Sequence, residues 1–170
     1  MRGVIIFVAK DFGLCYYYSV KKITNEYNRV LRAFAMKNIL IIDGQGGRIG
    51  KQLIEGIRAA GIAAKIIAVG TNSIAASTML KAGADNAATG ENAVLVNCRG
   101  ADVIIGPIGI VIADSLLGEI SPAMATAVGQ SAAKRILLPV SHCNSIVAGA
   151  ADLPVAALIK DAVRQIETVD

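Results

Sequence analysis

The sequence predicts an α/β domain built on a doubly wound, mainly parallel sheet, a single domain of three layers. Three observations predict it. From Met36 onward, short apolar runs alternate with segments of helical periodicity. The first run, Asn38–Ile42, is apolar after its first residue, as a strand covered on both faces is. A glycine-rich turn, Gly44–Gly50, follows at once and opens an amphipathic segment. At 170 residues the chain fits one domain, and its 54% hydrophobic content excludes disorder. No apolar run reaches the ~18 residues that a membrane span requires, so the apolar content is core.

The elements follow in order. After the first strand, a helix runs from the glycine turn to about Ala60, with Ile49, Leu53, Ile54 and Ile57 on one stripe; Gly61 is its stop. Lys65–Val69 is the second strand, and a small-residue helix over Ser73–Ala82 follows. Asn86–Ala88 is a short third strand, Glu91–Arg99 a helix and Asp102–Ile105 the fourth strand. The stretch Gly106–Glu119 stays ambiguous, because strand and helix both suit Ile108–Ala113. Ser121-Pro122 is a helix start, an N-cap with proline at the first position, and that helix extends to about Ala133. Arg135–Val140 is the fifth strand and Ser145–Ala148 a sixth, stopped by Gly149. Asp152 and Pro154 open a last helix, in which Val155, Ile159, Ala162, Val163 and Ile166 share a face.

Charge and aromatics divide the chain at Met36. All seven aromatic residues precede it, and residues 1–35 carry the whole net charge of +4. Residues 1–35 are therefore expected to be an extension, an upstream-start or added segment, ahead of a folding unit at 36–170. A membrane-surface helix over Ser19–Ala35 is the alternative. The domain itself has no net basic charge and no aromatic to stack on a base, which argues against nucleic acid as a partner. No membrane partner is expected either. Cys15, Cys98 and Cys143 form no Cys-x-x-Cys pair, consistent with a reducing, cytoplasmic location. With one histidine and no cysteine cluster, no metal site is expected.

In an open parallel sheet, ligands bind outside the carboxyl ends of the strands. The richest loop there is Asp43-Gly44-Gln45-Gly46-Gly47-Arg48-Ile49-Gly50, with four glycines in the seven residues from Gly44. Glycine lets the backbone approach a phosphate closely, and the following helix offers free N–H groups. A plain βα turn is the bland alternative. The second strand ends in Gly70-Thr71-Asn72-Ser73, where hydroxyls and N–H groups can cradle phosphate or simply cap a helix. Gly106 and Pro107 line the crevice wall. Asp43 and Asp114 are possible bases or caps. His142 is a weak acid/base candidate beside Cys143, since a loop histidine with no named partner is more often structural.

The spacing of Gly44, Gly47 and Gly50 resembles the loop of atypical short-chain dehydrogenase and NmrA-like NAD(P)-binding proteins, which implies a Rossmann-like fold. Two departures stand out. No acidic residue ends the second strand to hold a ribose, and the domain lacks a Tyr-x-x-x-Lys pair. Gly70-Thr71 weakly resembles the phosphate loop of the methylglyoxal-synthase-like fold, with Asn72 and Ser73 in place of that family's Thr and Gly. Together, Asp43–Gly50, Gly83–Ala93 and Gly106–Asp114 resemble the bacterial domain-of-unknown-function family 3842 across residues 36–170. That family implies the fold and no activity. Two readings follow. The first is a module that binds NAD(P), another nucleotide or another phosphorylated small molecule, and reports it, with a homodimer as one route. The second is an enzyme of methylglyoxal-synthase-like architecture acting on a phosphorylated carbonyl compound, with Asp43 or Asp114 as base.

Overall fold

A computed structural model of the protein describes residues 36–140, 146–150 and 153–169. The expected extension over residues 1–35 lies outside the described residues. Residues Lys37–Asp170 form one compact unit.

Strand β1 (Lys37–Asp43) is the middle of a five-stranded, wholly parallel sheet. Helix α1 (Arg48–Ala59) leads to β2 (Ala64–Gly70), α2 (Ser73–Lys81) to β3 (Asn86–Thr89), and α3 (Glu91–Asn97) to β4 (Val103–Pro107). A 3₁₀ turn (Ile108–Val111) and helix α4 (Pro122–Gln130) precede β5 (Lys134–Leu138), and α5 (Val155–Glu167) ends the fold. The strand order is β3-β2-β1-β4-β5. The chain therefore reverses direction across the sheet between β1 and β4, and a crevice opens there beyond the strands' carboxyl ends.

Alternation along β1 builds the layers. Ile39 and Ile41 join Leu53, Ile54 and Ile57 of α1 in one core, which also takes Met79 of α2 and Ile159 and Ile166 of α5. Leu40 and Ile42 point the other way, into a second core with Val94 of α3 and Met124 and Val128 of α4. Because both faces are covered, β1 carries isoleucine and leucine without alternation to polar residues. The fold is α/β, Rossmann-like and three-layered, as the sequence predicts.

Local signals act as read at several ends. At the close of α1, Gly61 takes φ +68, and the Ile62 N–H reaches the Ile57 carbonyl at 3.3 Å, satisfying a carbonyl that the helix leaves free. Ser121 caps α4 by accepting the Met124 N–H at 3.2 Å.

Four expectations change. The sixth strand does not form over its described part: Ile146 and Val147 pair with no strand, Ile146 is 98% exposed, and a turn closes from Ala150 N–H to the Val147 carbonyl. β-branched residues without a ladder or a buried face have nothing to hold them extended. Strand β5 ends at Leu138 rather than Val140, since Pro139 has no N–H to give a ladder. Helix α4 stops at Gln130, because Ser131 leaves helical geometry (ψ 142) and its hydroxyl donates to the Cys98 carbonyl. At the start of α5, Val155 is exposed rather than on the buried face.

Candidate functional site

The glycine loop is shaped by Asp43. This residue ends β1, is only 5% exposed, and turns its carboxylate onto the loop that follows. One oxygen accepts the Gly44 N–H at 2.8 Å and the other the Gly50 N–H at 2.7 Å. Burial raises its pKa, the N–H groups of Gly50, Gly44 and Ile49 pull it back, and the negative charge of Glu119 adds to the rise. The net direction is upward. A turn closes above it, with the Gly47 N–H on the Gly44 carbonyl at 2.9 Å; Gln45 (φ +50) and Gly47 (φ +69) are both left-handed. At Gly47 only glycine fits comfortably, since a Cβ would lie 2.8 Å from the Ala75 backbone of α2.

The second loop is tied to the first. The Thr71 N–H donates to the Asp43 carbonyl at 3.0 Å. Asn72 caps α2 through Oδ1, which accepts the Ala75 N–H at 2.9 Å, while its Nδ2 donates to the Gln45 carbonyl at 2.9 Å. Gly70 allows this approach, for a Cβ there would sit 2.4 Å from the Ala76 nitrogen. The loops Gly44–Gly50 and Gly70–Ser73 thus meet at one edge.

Into their junction comes a side chain that the sequence did not single out. Glu119 Oε2 accepts the Gln45 N–H at 2.6 Å and the Thr71 hydroxyl at 2.9 Å, and Oε1 accepts the Asn72 amide at 2.9 Å. Burial raises the Glu119 pKa, but the hydrogen bonds from Gln45, Thr71 and Asn72 outweigh it and hold the carboxyl below its ordinary value. The backbone leading to Glu119 is unusual. Asp114 (φ +59), Leu116 (φ +54), Leu117 (φ +61) and Gly118 (φ +85) all lie in the left-handed region, and Leu117 is 95% exposed.

Beside this junction, a cavity of about 50 Å³ is lined by Asp43, Gly44, Gln45, Ile49, Pro107 and Leu116, together with Val140. It lies at the β1/β4 crevice. A larger open groove of about 900 Å³ lies at the opposite edge, among Asp102, Lys134, Arg135 and Gln165. It is the larger space, but it is remote from both glycine-bearing loops and sits at the strands' amino ends.

The domain belongs to the family Domain of unknown function (DUF3842). The family's model matches residues 38–170, the span from which the three sequence motifs come. Among solved structures, the DUF3842 domain is similar to the "crystal structure of AibC" at 17% identity and a TM-score of 0.37, over 81% of this chain and 41% of that one. It therefore spans about two fifths of that protein's length. No curated protein matches the chain.

The remaining expected residues divide by position. Gly46 and Arg48 are exposed on the loop, and Ser73 is exposed at the start of α2 without joining the bonds to Glu119. Gly106 packs against β1, where a Cβ would meet the Ile42 carbonyl at 2.3 Å, so its glycine serves strand packing. Asp114 is exposed, and its N–H closes a turn onto the Ile120 carbonyl at 2.8 Å. His142 and Cys143 lie outside the described residues. Cys98 is free and buried, its thiol pushed up to about 11 by burial, which makes it a small core residue and no nucleophile. Among the described residues, no group of three or more His, Cys, Asp or Glu is placed to hold a metal. No helix among them is long and apolar enough to cross a membrane.

Glu119, Leu116 and Val140 are the site residues that sequence reasoning missed. Glu119 lies in the stretch whose backbone could not be assigned, 74 residues from Gln45 and 48 from Thr71. The one available hint was an acid between Gly118 and the Ser121 cap, too weak to separate it from an ordinary surface glutamate.

Proposed function

We propose that this DUF3842 domain is a binding module for a small phosphorylated metabolite, a nucleotide such as NAD(P) included, held where the Gly44–Gly50 and Thr71–Ser73 loops meet. One observation carries the reading. The Gln45 N–H, the Thr71 hydroxyl and the Asn72 amide converge on one carboxylate, within 2.6–2.9 Å, beside the β1/β4 crevice. Three fixed donors from two loops are the equipment that a phosphate oxygen needs. The carboxylate of Glu119 stands where the ligand's anionic group is expected.

The enzymatic alternative is less well supported. Both Asp43 oxygens are held by backbone N–H groups, which leaves a poor base, and Asp114 is an exposed turn residue. Mass spectrometry of small molecules retained by the purified protein, beside a thermal-shift series of nucleotides and sugar phosphates, tests the binding reading. A retained ligand at a hundredfold excess over its Kd stabilises the fold by about 2.7 kcal/mol. Compared in the Glu119→Ala background, where no carboxylate competes for the hydroxyl, Thr71→Val removes one charge-assisted donor and is expected to weaken binding about tenfold, with the fold intact. No shift with any phosphorylated compound defeats the reading.

A further inference from the structure

We infer that Glu119 is a built-in competitor for the site: its carboxylate plugs the anion cradle, and an incoming anionic ligand binds by displacing it. The inference rests on the binding reading above and adds its regulation.

Three features point to a plug rather than a permanent brace. First, Glu119 takes all three converging donors, so a ligand anion cannot use the Gln45 N–H, the Thr71 hydroxyl and the Asn72 amide while it stays. Second, the carboxylate is only half-buried, so a path into water is open, unlike that of the buried Asp43. Third, the arm behind it is strained. Asp114, Leu116 and Leu117 are non-glycine residues in the left-handed region, and Gly118 continues it. Left-handed geometry disfavours L side chains, so the turn stores strain, and at the exposed Leu117 that strain lies in the segment that would move with Glu119. The free part is short: buried Ser115, Leu116 and Ile120 anchor its ends, with the Ser115 hydroxyl on the Gly109 carbonyl and the Asp114 N–H on the Ile120 carbonyl at 2.8 Å. The exposed tip between them is held by the Gly118 N–H on the Ser115 carbonyl at 3.1 Å and the Glu119 N–H on the Leu116 carbonyl at 3.3 Å. Leu117 packs against almost nothing. The turn has the makings of an element with two arrangements, and an anion biases it by competing for the same three donors.

A plug closed about 90–99% of the time lowers apparent affinity about ten- to hundredfold. The experiment uses the full chain, ¹⁵N-labelled, with inorganic phosphate as probe, in the wild type, Glu119→Gln and Glu119→Ala. In the ligand-free wild type, the Gln45 amide resonance is expected to follow the protonation of Glu119, and this dependence is lost in both variants. Phosphate is then expected to bind Glu119→Ala at least about tenfold more tightly than the wild type. In the wild type it should also speed hydrogen exchange at the Gly118 and Glu119 amides, which mere removal of a repulsive charge does not predict. Equal phosphate affinity in the wild type and Glu119→Ala, or tighter binding to Glu119→Ala with no change in turn exchange, overturns the plug and leaves the binding reading standing. No phosphate binding to any of the three proteins overturns the binding reading, and the plug with it.

Discussion

Replacing Gly47 with alanine is the sharpest test of how the glycine loop is built. Gly47 lies at φ +69 and ψ 20, the left-handed region, as the residue that caps α1. An L residue there costs about 1–2 kcal/mol relative to its right-handed geometry. The added methyl also meets the Ala75 Cα and carbonyl oxygen at 2.8 Å, and backbone in the first turn of α2 cannot rotate away like a side chain. Forcing α1 and α2 apart by that much costs a further ~1–3 kcal/mol. The total is about 2–5 kcal/mol, a large part of the ~5–15 kcal/mol that holds a domain folded.

Urea denaturation and thermal melts measure this directly. For the unit Lys37–Asp170, each kcal/mol corresponds to about 3–4 °C, so Gly47→Ala should lower Tm by roughly 6–20 °C. Gly46→Ala is the control. A Cβ at Gly46 meets nothing within 4 Å, and its φ is not left-handed, so the change should stay within about 0.5 kcal/mol. Gly47→Asn separates the two costs, since asparagine tolerates left-handed geometry but keeps the methylene against Ala75. It is expected to recover about 1 kcal/mol of the loss. Equal stability of Gly47→Ala and Gly46→Ala would refute both the loop geometry and its contact with α2.

Two further outcomes concern the carboxylates. Asp43→Asn keeps one accepting oxygen and turns an NH₂ toward a second backbone donor, which leaves Gly44 or Gly50 unpaired and should cost about 1–3 kcal/mol in denaturant titrations. The pH dependences of the two acids have opposite signs. Glu119 has a lowered folded pKa, so it stabilises above its unfolded value of about 4.3 and loses that contribution as pH falls through the folded value; the destabilisation caused by Glu119→Gln should shrink on acidification from about pH 6 to about pH 3. Asp43 has a raised folded pKa, so its contribution is greatest below about 3.9 and is lost as pH rises through the folded value; the destabilisation caused by Asp43→Asn should grow over the same acidification, and parallel changes in the two variants contradict the assignments.

What the sequence disclosed follows from which signals are local. Strand β1 and helix α1 were legible because a both-faces-buried strand and a 3.6-residue stripe each leave a one-dimensional trace, in Asn38–Ile42 and in Leu53, Ile54 and Ile57. The caps at Ser121 and Gly61 are equally local. The Ile-Val pair at Ile146 and Val147 shows the limit of this logic, since strand propensity counts only where a neighbouring strand offers a ladder. The weak third strand forms because β2 provides one, pairing Ile67 with Asn86 through Gly70 with Thr89. The stretch after β4 could not be read at all. Its path is set by left-handed residues at Asp114, Leu116 and Leu117; leucine carries no pattern announcing such geometry, and a lone aspartate suits a cap or an ordinary turn equally well. Thr71, Asn72 and Gln45 were thus legible as donors, while the acceptor that joins them was not.

The two carboxylates at this edge differ in how they are held, and that difference assigns them different tasks. Asp43 is fixed by the loop it shapes: its partners Gly44 and Gly50 lie one and seven residues away, and it is buried beneath them. Releasing it would undo the turn itself. Glu119 is held across the fold by groups from two other loops, at a half-exposed position, on a turn whose Leu116, Leu117 and Gly118 lie in the left-handed region. Each charge-assisted bond is worth about 1.5–3 kcal/mol when nothing else competes for the donor. An anion offering oxygens to the same donors cancels that gain in exchange, and it brings its own negative charge beside Asp43, so what remains in favour of departure is the left-handed strain in the turn. On the proposed reading, the edge combines a permanent anion that shapes the loop with an exchangeable one that guards it, and ligand entry and rearrangement of the turn are then a single equilibrium.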